Sequence, residues 1–326
     1  MNVLVTGGAG YIGSVLTRQL LAQGHSVTIY DNLSRGFRES VAAGVRFVHG
    51  DILDRGYLVD TFLSHKIDSV VHMAGLIAVG ESVREPAMYY HQNVTGGLSL
   101  LDAMKDAGVN RILFSSTAAV YGEPQRVPIE ETDTKNPTNP YGETKWTFEK
   151  ALRWYGEAFG LHTACLRYFN AAGAAGDAGE RHEPETHLIP LILRAAAGVS
   201  PAITVFGDDF DTRDGTCVRD YIHVLDLANA HILALEALSR GEKALVYNLG
   251  CGGEGYTVKE VIELAKKVTG KDVPVKMGPR RDGDSAVLIA GSDKIKRELH
   301  WQPLHQDLGV IIESAWKFMQ THQLKA

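Results

Sequence analysis

The sequence predicts an α/β protein with a doubly wound parallel sheet of the Rossmann type and a smaller C-terminal substrate domain. Short apolar strands alternate with helical stretches in the first half, a glycine-rich turn joins the first strand to the first helix, and this rhythm ends near residue 172. Strands that are apolar throughout are typical of a parallel sheet covered by helices on both faces. We expect a first domain over residues 1–175 and a second over 176–326, with part of 215–250 returning to the first.

Each element of the first domain has a local signal. Compact β-branched or aromatic runs bounded by Gly, Asp or Asn predict buried strands, in the order NVLVT, SVTIY, VRFVHG, DSVVHMAG, NRILFSS and HTACLRY. Apolar residues at helical spacing that end in a glycine predict helices between them, as in IGSVLTRQLLAQG and NVTGGLSLLDAMKDAG. In the second half the same pattern predicts amphipathic helices in VLDLANAHILALEALSRG, TVKEVIELAKKVTG and LGVIIESAWKFMQTH.

Composition narrows the class of protein. The formal net charge is −6 over 326 residues, which disfavours a dedicated binder of nucleic acid or of anionic membranes. No apolar run approaches the roughly 20 residues needed to span a bilayer, and no secretory signal precedes the first strand. The 3 cysteines show no CxxC spacing and are interpreted as reduced thiols of a cytoplasmic protein. The segment HEPETH lacks the helical HExxH spacing of zinc sites, so we expect no metal.

The glycine-rich turn predicts a phosphate-binding loop. Gly7, Gly10 and Gly13 follow the first strand directly and open the first helix. Glycines at this point permit a tight turn and let a pyrophosphate reach the positive end of the helix. Because a purely structural glycine turn has the same letters, the prediction depends on what surrounds the loop.

An acidic residue after the second strand supports a dinucleotide. Asp31 lies 18 residues past Gly13, near the spacing expected for a carboxylate on the adenine ribose. Its negative charge would repel a 2′-phosphate and favours NAD over NADP, although Arg35 nearby is the kind of residue that accommodates that phosphate. Asp51, after the third strand, has two interpretations, a contact to the adenine amino group or a helix N-cap.

Tyr141 and Lys145 predict the reacting groups. They are four residues apart on one face of a helix that begins after Pro140. Ionising a phenol at neutral pH requires a pKa drop of about 3 units, roughly 4 kcal/mol. One cation at about 4 Å supplies on the order of 4 kcal/mol at an effective dielectric near 20, while burial opposes ionisation. A second positive charge is needed, and an oxidised nicotinamide ring would provide it.

Other polar residues are predicted at the carboxyl ends of the strands. Ser115, Ser116 and Thr117 end the fifth predicted strand, where open α/β sheets bind ligands. A hydroxyl there could relay a proton to Tyr141, or it could cap the next turn, and for Ser115 we prefer the cap. Asn93 is equally consistent with a helix residue satisfied by a neighbouring loop and with a contact to the nicotinamide ribose.

With these residues in place, the chain resembles the extended short-chain dehydrogenase/reductase family, in its nucleotide-sugar epimerase branch. The motifs that carry the resemblance span nearly the whole chain and include GGAGYIG, HGDILD, SSTAAVYGE, NPYGETK, RYFNAAGA, VRDYIHV and RRDGD. The resemblance implies that Tyr141 is the catalytic base, Lys145 lowers its pKa and Thr117 faces the substrate. It implies NAD contacts at Tyr11, Ile12, Asp31, Asn32, Asp51, Ile52, Asn93 and Phe169. It implies uridine diphosphate contacts at Asn170, Leu188, Val205, Phe206, Arg219, Arg281 and Asp284.

Four positions depart from the family pattern. Ile77 replaces a lysine that is common after AGL, and Thr117 replaces the commoner serine. His187 stands where an asparagine is frequent, on the uracil side. Leu288 occupies a position that limits room beside C2 of the sugar, where a tyrosine would exclude an N-acetyl group.

The resemblance implies an NAD-binding first domain and a nucleotide-sugar-binding second domain. The activity we expect is reversible inversion at C4 of a UDP-hexose through a 4-keto intermediate, in a cytoplasmic homodimer of galactose metabolism. N-acetylated UDP-sugars are a further possible substrate class. A nucleotide-sugar dehydratase is disfavoured because Ala118 and Ala119 stand where an acid pair is needed. The other alternative is a catalytically silent dinucleotide sensor.

Overall fold

The computed structural model describes residues 1–281 and 284–322, so Asp282 and Gly283 of the RRDGD motif lie outside the described residues. Its strands are short and are distributed over the whole chain. In chain order they are β1 Asn2–Thr6, β2 Ser26–Asp31, β3 Arg46–His49, β4 Ser69–His72, β5 Arg111–Thr117, β6 His162–Tyr168, β7 Asn170–Ala172, β8 Ile203–Phe206, β9 Val218–Arg219, β10 Tyr221–His223, β11 Leu245–Leu249, β12 Tyr256–Thr257, β13 Val275–Gly278 and β14 Val287–Leu288.

The helices alternate with the strands in the first half and cluster in the second. They are α1 Tyr11–Ala22, α2 Arg55–Ser64, α3 Val79–Arg84, α4 Pro86–Tyr89, α5 Gly96–Ala107, α6 Pro140–Phe159, α7 Leu188–Ala196, α8 Val224–Ser239, α9 Val258–Thr269, α10 Asp293–Leu299 and α11 Leu308–His322. A π-helical turn, Tyr90–Thr95, joins α4 to α5, and single 3-10 turns cover Arg38–Ser40 and Ala118–Val120. Among the described residues, no helix combines the length and apolar character needed to cross a bilayer.

Seven strands form one parallel sheet in the order β11-β6-β5-β4-β1-β2-β3. From β1 the chain adds β2 and β3 on one side and β4, β5, β6 and β11 on the other, as in doubly wound folds. The predicted fold class is confirmed. The six strands predicted for the first half coincide with β1 to β6 to within three residues at each end, and the bounds of β1 and β6 are matched without any difference.

The sheet is buried on both faces, which explains its uniformly apolar strands. Successive residues of β1 point to opposite sides. Val3 and Val5 join a core with α1 and α8, whereas Leu4 joins a second core with residues of α2, α5 and α6. All three are fully buried.

Three segments of the later half belong to this sheet layer. Helix α8 packs against α1, β5 and β6, β11 pairs in parallel with β6 as the edge strand, and α10 packs against β11 and α8. A smaller layer is formed where α7, α9 and α11 share a separate core with β8. The small sheet β12-β9-β14 lies in this part, and it places Leu288 opposite Arg219.

The start of α6 positions the predicted catalytic pair. Asn139 is the N-cap, and its side chain accepts a hydrogen bond from the backbone N–H of Gly142 at 2.9 Å. Pro140 at the first helical position has no N–H to leave unsatisfied. The helix ends at Phe159, and Gly160 follows it with a φ of +70°, which suits a glycine after the last turn. These signals determine where Tyr141 lies within the first turn.

Candidate active site

A cavity of about 410 Å³ opens at the carboxyl edge of the main sheet. This is where ligands of open α/β sheets bind. Predicted site residues that line it are Gly7, Gly10, Tyr11, Ile12, Gly13, Asp31, Asn32, Ile52, Thr117, Tyr141, Lys145, Phe169 and Asn170. Within residues 1–281 and 284–322, its lining does not include Asp51, Asn93, Leu188, Val205, Phe206, Arg219, Arg281 or Asp284.

The glycine loop has the close packing that a phosphate cradle requires. Gly7 has a φ of +71°, and a Cβ at Gly13 would lie 2.5 Å from the carbonyl oxygen of Gly7. Only glycine is compatible with these positions. Gly10 is the N-cap of α1, and because it has no side chain, the first N–H groups of the helix remain available to an anion. The loop therefore fits the pyrophosphate of a dinucleotide.

Asp31 is held against this loop. Its carboxylate accepts hydrogen bonds from the backbone N–H of Ala9 at 2.9 Å and of Leu33 at 2.8 Å. Burial raises the pKa of Asp31, while these two hydrogen bonds oppose the increase. The side chain of Arg35 forms an ion pair with Glu81 at 2.7 Å. A carboxylate fixed on the loop and an arginine already paired both favour a ribose hydroxyl over a 2′-phosphate.

Asp51 holds the side chain of Asn32. Its carboxylate accepts from the side-chain amide of Asn32 at 2.8 Å and from the backbone N–H of Leu53 at 2.9 Å. The N-cap of α2 is Asp54, so the interpretation of Asp51 as a helix N-cap is wrong. The structure instead places Asp51 behind Asn32, which lines the cavity.

Tyr141 and Lys145 lie side by side on the cavity wall. The Lys145 Nζ is 5.9 Å from the centre of the Tyr141 ring and donates a hydrogen bond to the carbonyl oxygen of Ser115 at 2.9 Å. Burial lowers the pKa of Lys145 to about 8, although the charge of Glu149 opposes this. Burial raises the pKa of Tyr141, and a hydrogen bond with Thr117 lowers it. In the protein alone the phenol is therefore neutral, which agrees with the need for a further positive charge.

Thr117 is the hydroxyl nearest to this chemistry. It hydrogen-bonds the phenol of Tyr141, and its Oγ1 accepts from the backbone N–H of Ala119 at 3.1 Å, which caps the following 3-10 turn. For Ser115 the preferred cap interpretation is wrong. Its carbonyl oxygen holds Lys145, and its side chain hydrogen-bonds the hydroxyl of Tyr168.

Asn93 is held by the neighbouring loop. Its side chain accepts from the backbone N–H of Leu76 at 2.8 Å and donates to the carbonyl of Leu76 and to the hydroxyl of Thr144. These contacts agree with a helix residue satisfied by a loop, and the contact to the nicotinamide ribose stays a prediction. Ile77, which departs from the lysine expected from the family resemblance, lines the cavity beside this loop.

Most of the predicted uridine diphosphate residues form a second group outside the cavity lining. Asp284 pairs with Arg281 at 2.9 Å and with Arg219 at 3.8 Å. The guanidinium of Arg281 lies 4.7 Å from the centre of the Phe206 ring. The side chain of Val205 is buried in the core of the smaller layer, so only its backbone could contact a ligand.

Other members of that predicted set lie nearer the cavity. Asn170 lines it and donates to the carbonyl of Asp220 at 2.8 Å. Leu188 begins α7, directly after His187, which is in the cavity lining. Leu288 also lines the cavity, and its pairing with Arg219 connects the arginine group to the cavity wall.

The cavity wall carries a group of ionisable residues that no motif in the sequence indicates. Glu180 and His182 line the cavity with His187, and one potential ligand atom from each lies within 4.8 Å of the others. The segment is a loop, so the absence of helical HExxH spacing did not bear on whether these side chains meet. Although burial lowers it, the pKa of His187 is raised overall by its hydrogen bond to Glu185 and by the charge of Glu180.

Comparison with known families agrees with this geometry. Residues 3–250 match the model of the NAD dependent epimerase/dehydratase family. The chain belongs to this family. Its members use NAD, and the glycine loop, Asp31 and the paired Arg35 fit that cofactor.

Individual members of the family match almost end to end. A UDP-glucose 4-epimerase of Corynebacterium glutamicum is 53% identical over 319 residues, covering 98% of this chain and 95% of that protein. The crystal structure of a UDP-glucose 4-epimerase from Brucella ovis in complex with NAD is 46% identical with a TM-score of 0.94, covering 97% of this chain and 98% of that one. The structure of a Bifidobacterium longum UDP-glucose 4-epimerase with NAD+ and UDP is 38% identical with a TM-score of 0.93, and the match covers 99% of each chain.

Proposed function

We propose that the protein interconverts UDP-glucose and UDP-galactose by inversion at C4, with NAD as a tightly bound cofactor. The observation that carries the proposal is the position of Tyr141 at the wall of the cavity that the glycine loop lines, hydrogen-bonded to Thr117 and with the Lys145 Nζ 5.9 Å from its ring centre. Full-length similarity to UDP-glucose 4-epimerases supports the choice of substrate.

In the proposed reaction Tyr141 removes the proton of the sugar 4-hydroxyl, directly or through Thr117. Lys145 favours the phenolate, and the Ser115 carbonyl holds its ammonium in place. NAD, when held by the glycine loop and Asp31, would supply a reversible hydride acceptor for C4. Turning of the 4-keto sugar in the site would present its other face to that acceptor.

This turn requires a firmly held uridine diphosphate and loosely held sugar. Arg219 and Arg281 are suited to the pyrophosphate because guanidinium groups bind phosphate oxygens in a fork. Asp284 pairs with both side chains and so keeps them together. Around the sugar, the neighbouring wall offers apolar groups such as Leu288 and Ala118.

N-acetylated UDP-sugars are the second substrate class that we propose to test. Leu288 is half-buried, lines the cavity and packs beside Val120, Tyr121 and Ile129. A leucine leaves more room than a tyrosine at this position. Turnover of UDP-N-acetylglucosamine by wild type and its loss in Leu288→Tyr would support the proposal, whereas inactivity of wild type would exclude this class.

The oligomeric state, the cellular location and the metabolic role of the protein are also proposals. By analogy with the family, we propose a homodimer that acts in the cytoplasm in galactose metabolism. Analytical ultracentrifugation at several protein concentrations would test the dimer. A sedimentation coefficient of the monomer at all of them would contradict it.

The decisive experiment follows conversion of UDP-galactose to UDP-glucose by chromatography and the content of bound NAD in the same sample. We expect conversion by wild type and near loss in Tyr141→Phe, with Tyr90→Phe, an exposed tyrosine, as the matched control. Protein that contains NAD but leaves UDP-galactose unchanged would overturn the proposal. Absorbance of reduced nicotinamide on adding the UDP-sugar separates an epimerase from a silent sensor, which would show none.

A further inference from the structure

The loop between β7 and α7 brings two imidazoles and a carboxylate to one point. The Nδ1 of His182 is 2.5 Å from Oε1 of Glu180, and the Nδ1 of His187 is 3.7 Å from Oε2 of the same carboxylate. One nitrogen or oxygen from each of the three side chains lies within 4.8 Å of the others. Around a zinc ion these side chains would turn until one atom of each lay at a ligand distance of 2.0–2.2 Å.

We propose that Glu180, His182 and His187 bind a divalent transition-metal ion. Two imidazoles and one carboxylate suit Zn²⁺ and its neighbours in the first transition row, whereas Mg²⁺ and Ca²⁺ prefer oxygen ligands. Three protein ligands leave a coordination position for water or a phosphate oxygen. That position would face the cavity, because all three side chains line it.

Two further features of the loop point to a metal. The Nδ1 of His182 is buried and lies 2.5 Å from Oε1 of Glu180, with which it pairs. This pair already holds one imidazole and the carboxylate together at the cavity wall.

Glu185 supplies the second feature. Its carboxylate is only 2% exposed and accepts from Nδ1 of His187 at 2.8 Å, which leaves the lone pair of that ring on Nε2. Backbone N–H groups of Thr186 and His187 hold the carboxylate, each at 2.7 Å. Carboxylates of this kind orient histidine ligands in metal sites. Glu180 and Glu185 together carry two negative charges, which balance a divalent cation.

The test uses untagged protein, cleared of metal by chelation, titrated with ZnCl₂ in a calorimeter near pH 7.5. We expect wild type to bind one equivalent of zinc. The variants His182→Ala and His187→Ala should show no binding in the same titration. His91→Ala, which removes an exposed histidine elsewhere, should bind as wild type does. Glu185→Gln should weaken binding by about 10- to 100-fold, because it disturbs only the orienting contact.

A second readout separates this site from adventitious thiol binding. Co²⁺ in place of Zn²⁺ should give intense visible absorption in wild type, with nitrogen and oxygen ligands and no thiolate charge-transfer band. Thermal unfolding of each variant without metal checks that the fold is intact. Absence of saturable zinc binding in wild type, or binding that persists in both histidine variants, would overturn the proposal. Neither result bears on epimerase activity.

Discussion

Thr117 hydrogen-bonds the phenol of Tyr141 from the end of β5, while Lys145 approaches the same ring from α6. The Lys145 ammonium binds the carbonyl oxygen of Ser115, two residues before Thr117 on the same strand. One strand end thus positions both neighbours of the phenol. The position of this strand relative to α6 determines whether the proton can move.

Removing the Thr117 hydroxyl should slow turnover. Thr117→Val keeps the shape but loses the hydrogen bond to Tyr141, and we expect kcat to fall by about 10²- to 10⁴-fold, the usual contribution of a positioned proton-transfer group. Thr117→Ser keeps the hydroxyl and should retain most of the activity. Steady-state kinetics with UDP-galactose measures both, and equal rates for Thr117→Val and wild type would exclude a relay role.

Burial of Lys145 should make stability depend on pH. Its pKa is about 8 in the folded protein and 10.5 as the ordinary value, so burying the ammonium costs stability below about pH 8. Between these two values the unfolded chain retains a proton that the folded protein has lost, and the free energy of unfolding rises with pH.

Urea unfolding of wild type and Lys145→Met at several pH values would measure this effect. We expect wild type to gain on the order of 1–3 kcal/mol relative to the variant across this window. Lys150→Met, an exposed lysine on the same helix, should behave as wild type does. Parallel pH profiles for wild type and Lys145→Met would contradict the assigned pKa.

Filling the glycine turn should abolish cofactor binding. A Cβ at Gly13 would meet the Gly7 carbonyl oxygen at 2.5 Å, so Gly13→Ala forces the loop open. Gly56→Ala is the matched control, because a Cβ at that helical position meets only the Asp54 side chain at 3.7 Å. Bound NAD, measured after denaturation of the purified protein, should be lost in the first variant and retained in the second. Full NAD content in Gly13→Ala would show that the loop does not hold the pyrophosphate.

The arginine group should determine affinity for the UDP-sugar. Arg219→Met should raise KM by about 10- to 100-fold, since a hydrogen bond to a charged group contributes about 1.5–3 kcal/mol. Arg280→Met removes a neighbouring arginine that pairs with Asp209 and should leave KM unchanged. An equal change of KM in both variants would mean that the loss of positive charge in general weakens binding. The proposed contact of Arg219 with the UDP-sugar would then be wrong.

The sheet could be predicted from sequence because its strands are buried on both faces. Nearly every residue in such a strand is apolar, and the apolar run is easily recognised. Helix α6 could also be predicted from sequence, because Asn139, Pro140 and Gly160 mark its two ends. Side-chain partners of hydroxyl residues were harder to predict. The neighbouring sequence favours Ser115 as the residue that caps the next turn. The direction of each side chain depends on its place in the pleated strand, however, and Thr117 caps the turn.

Contacts within loops were the least predictable. Asp51 and Asp54 both precede α2 by a few residues, and only the backbone path selects Asp54 as the N-cap. Glu180, His182 and His187 carry no periodic pattern, and they meet because the loop folds back on itself. Spacing rules derived from helices do not predict which side chains meet in a loop of this kind.

The edge position of β11 has a consequence for synthesis of the protein. Strand β6 is complete at Tyr168, but its outer partner β11 ends only at Leu249. While the ribosome makes the intervening chain, the hydrogen-bonding groups along β6 stay exposed, and such open strand edges recruit other chains. A nascent polypeptide halted before Leu249 is thus a template for aggregation, and shielding by a chaperone is most valuable during that interval.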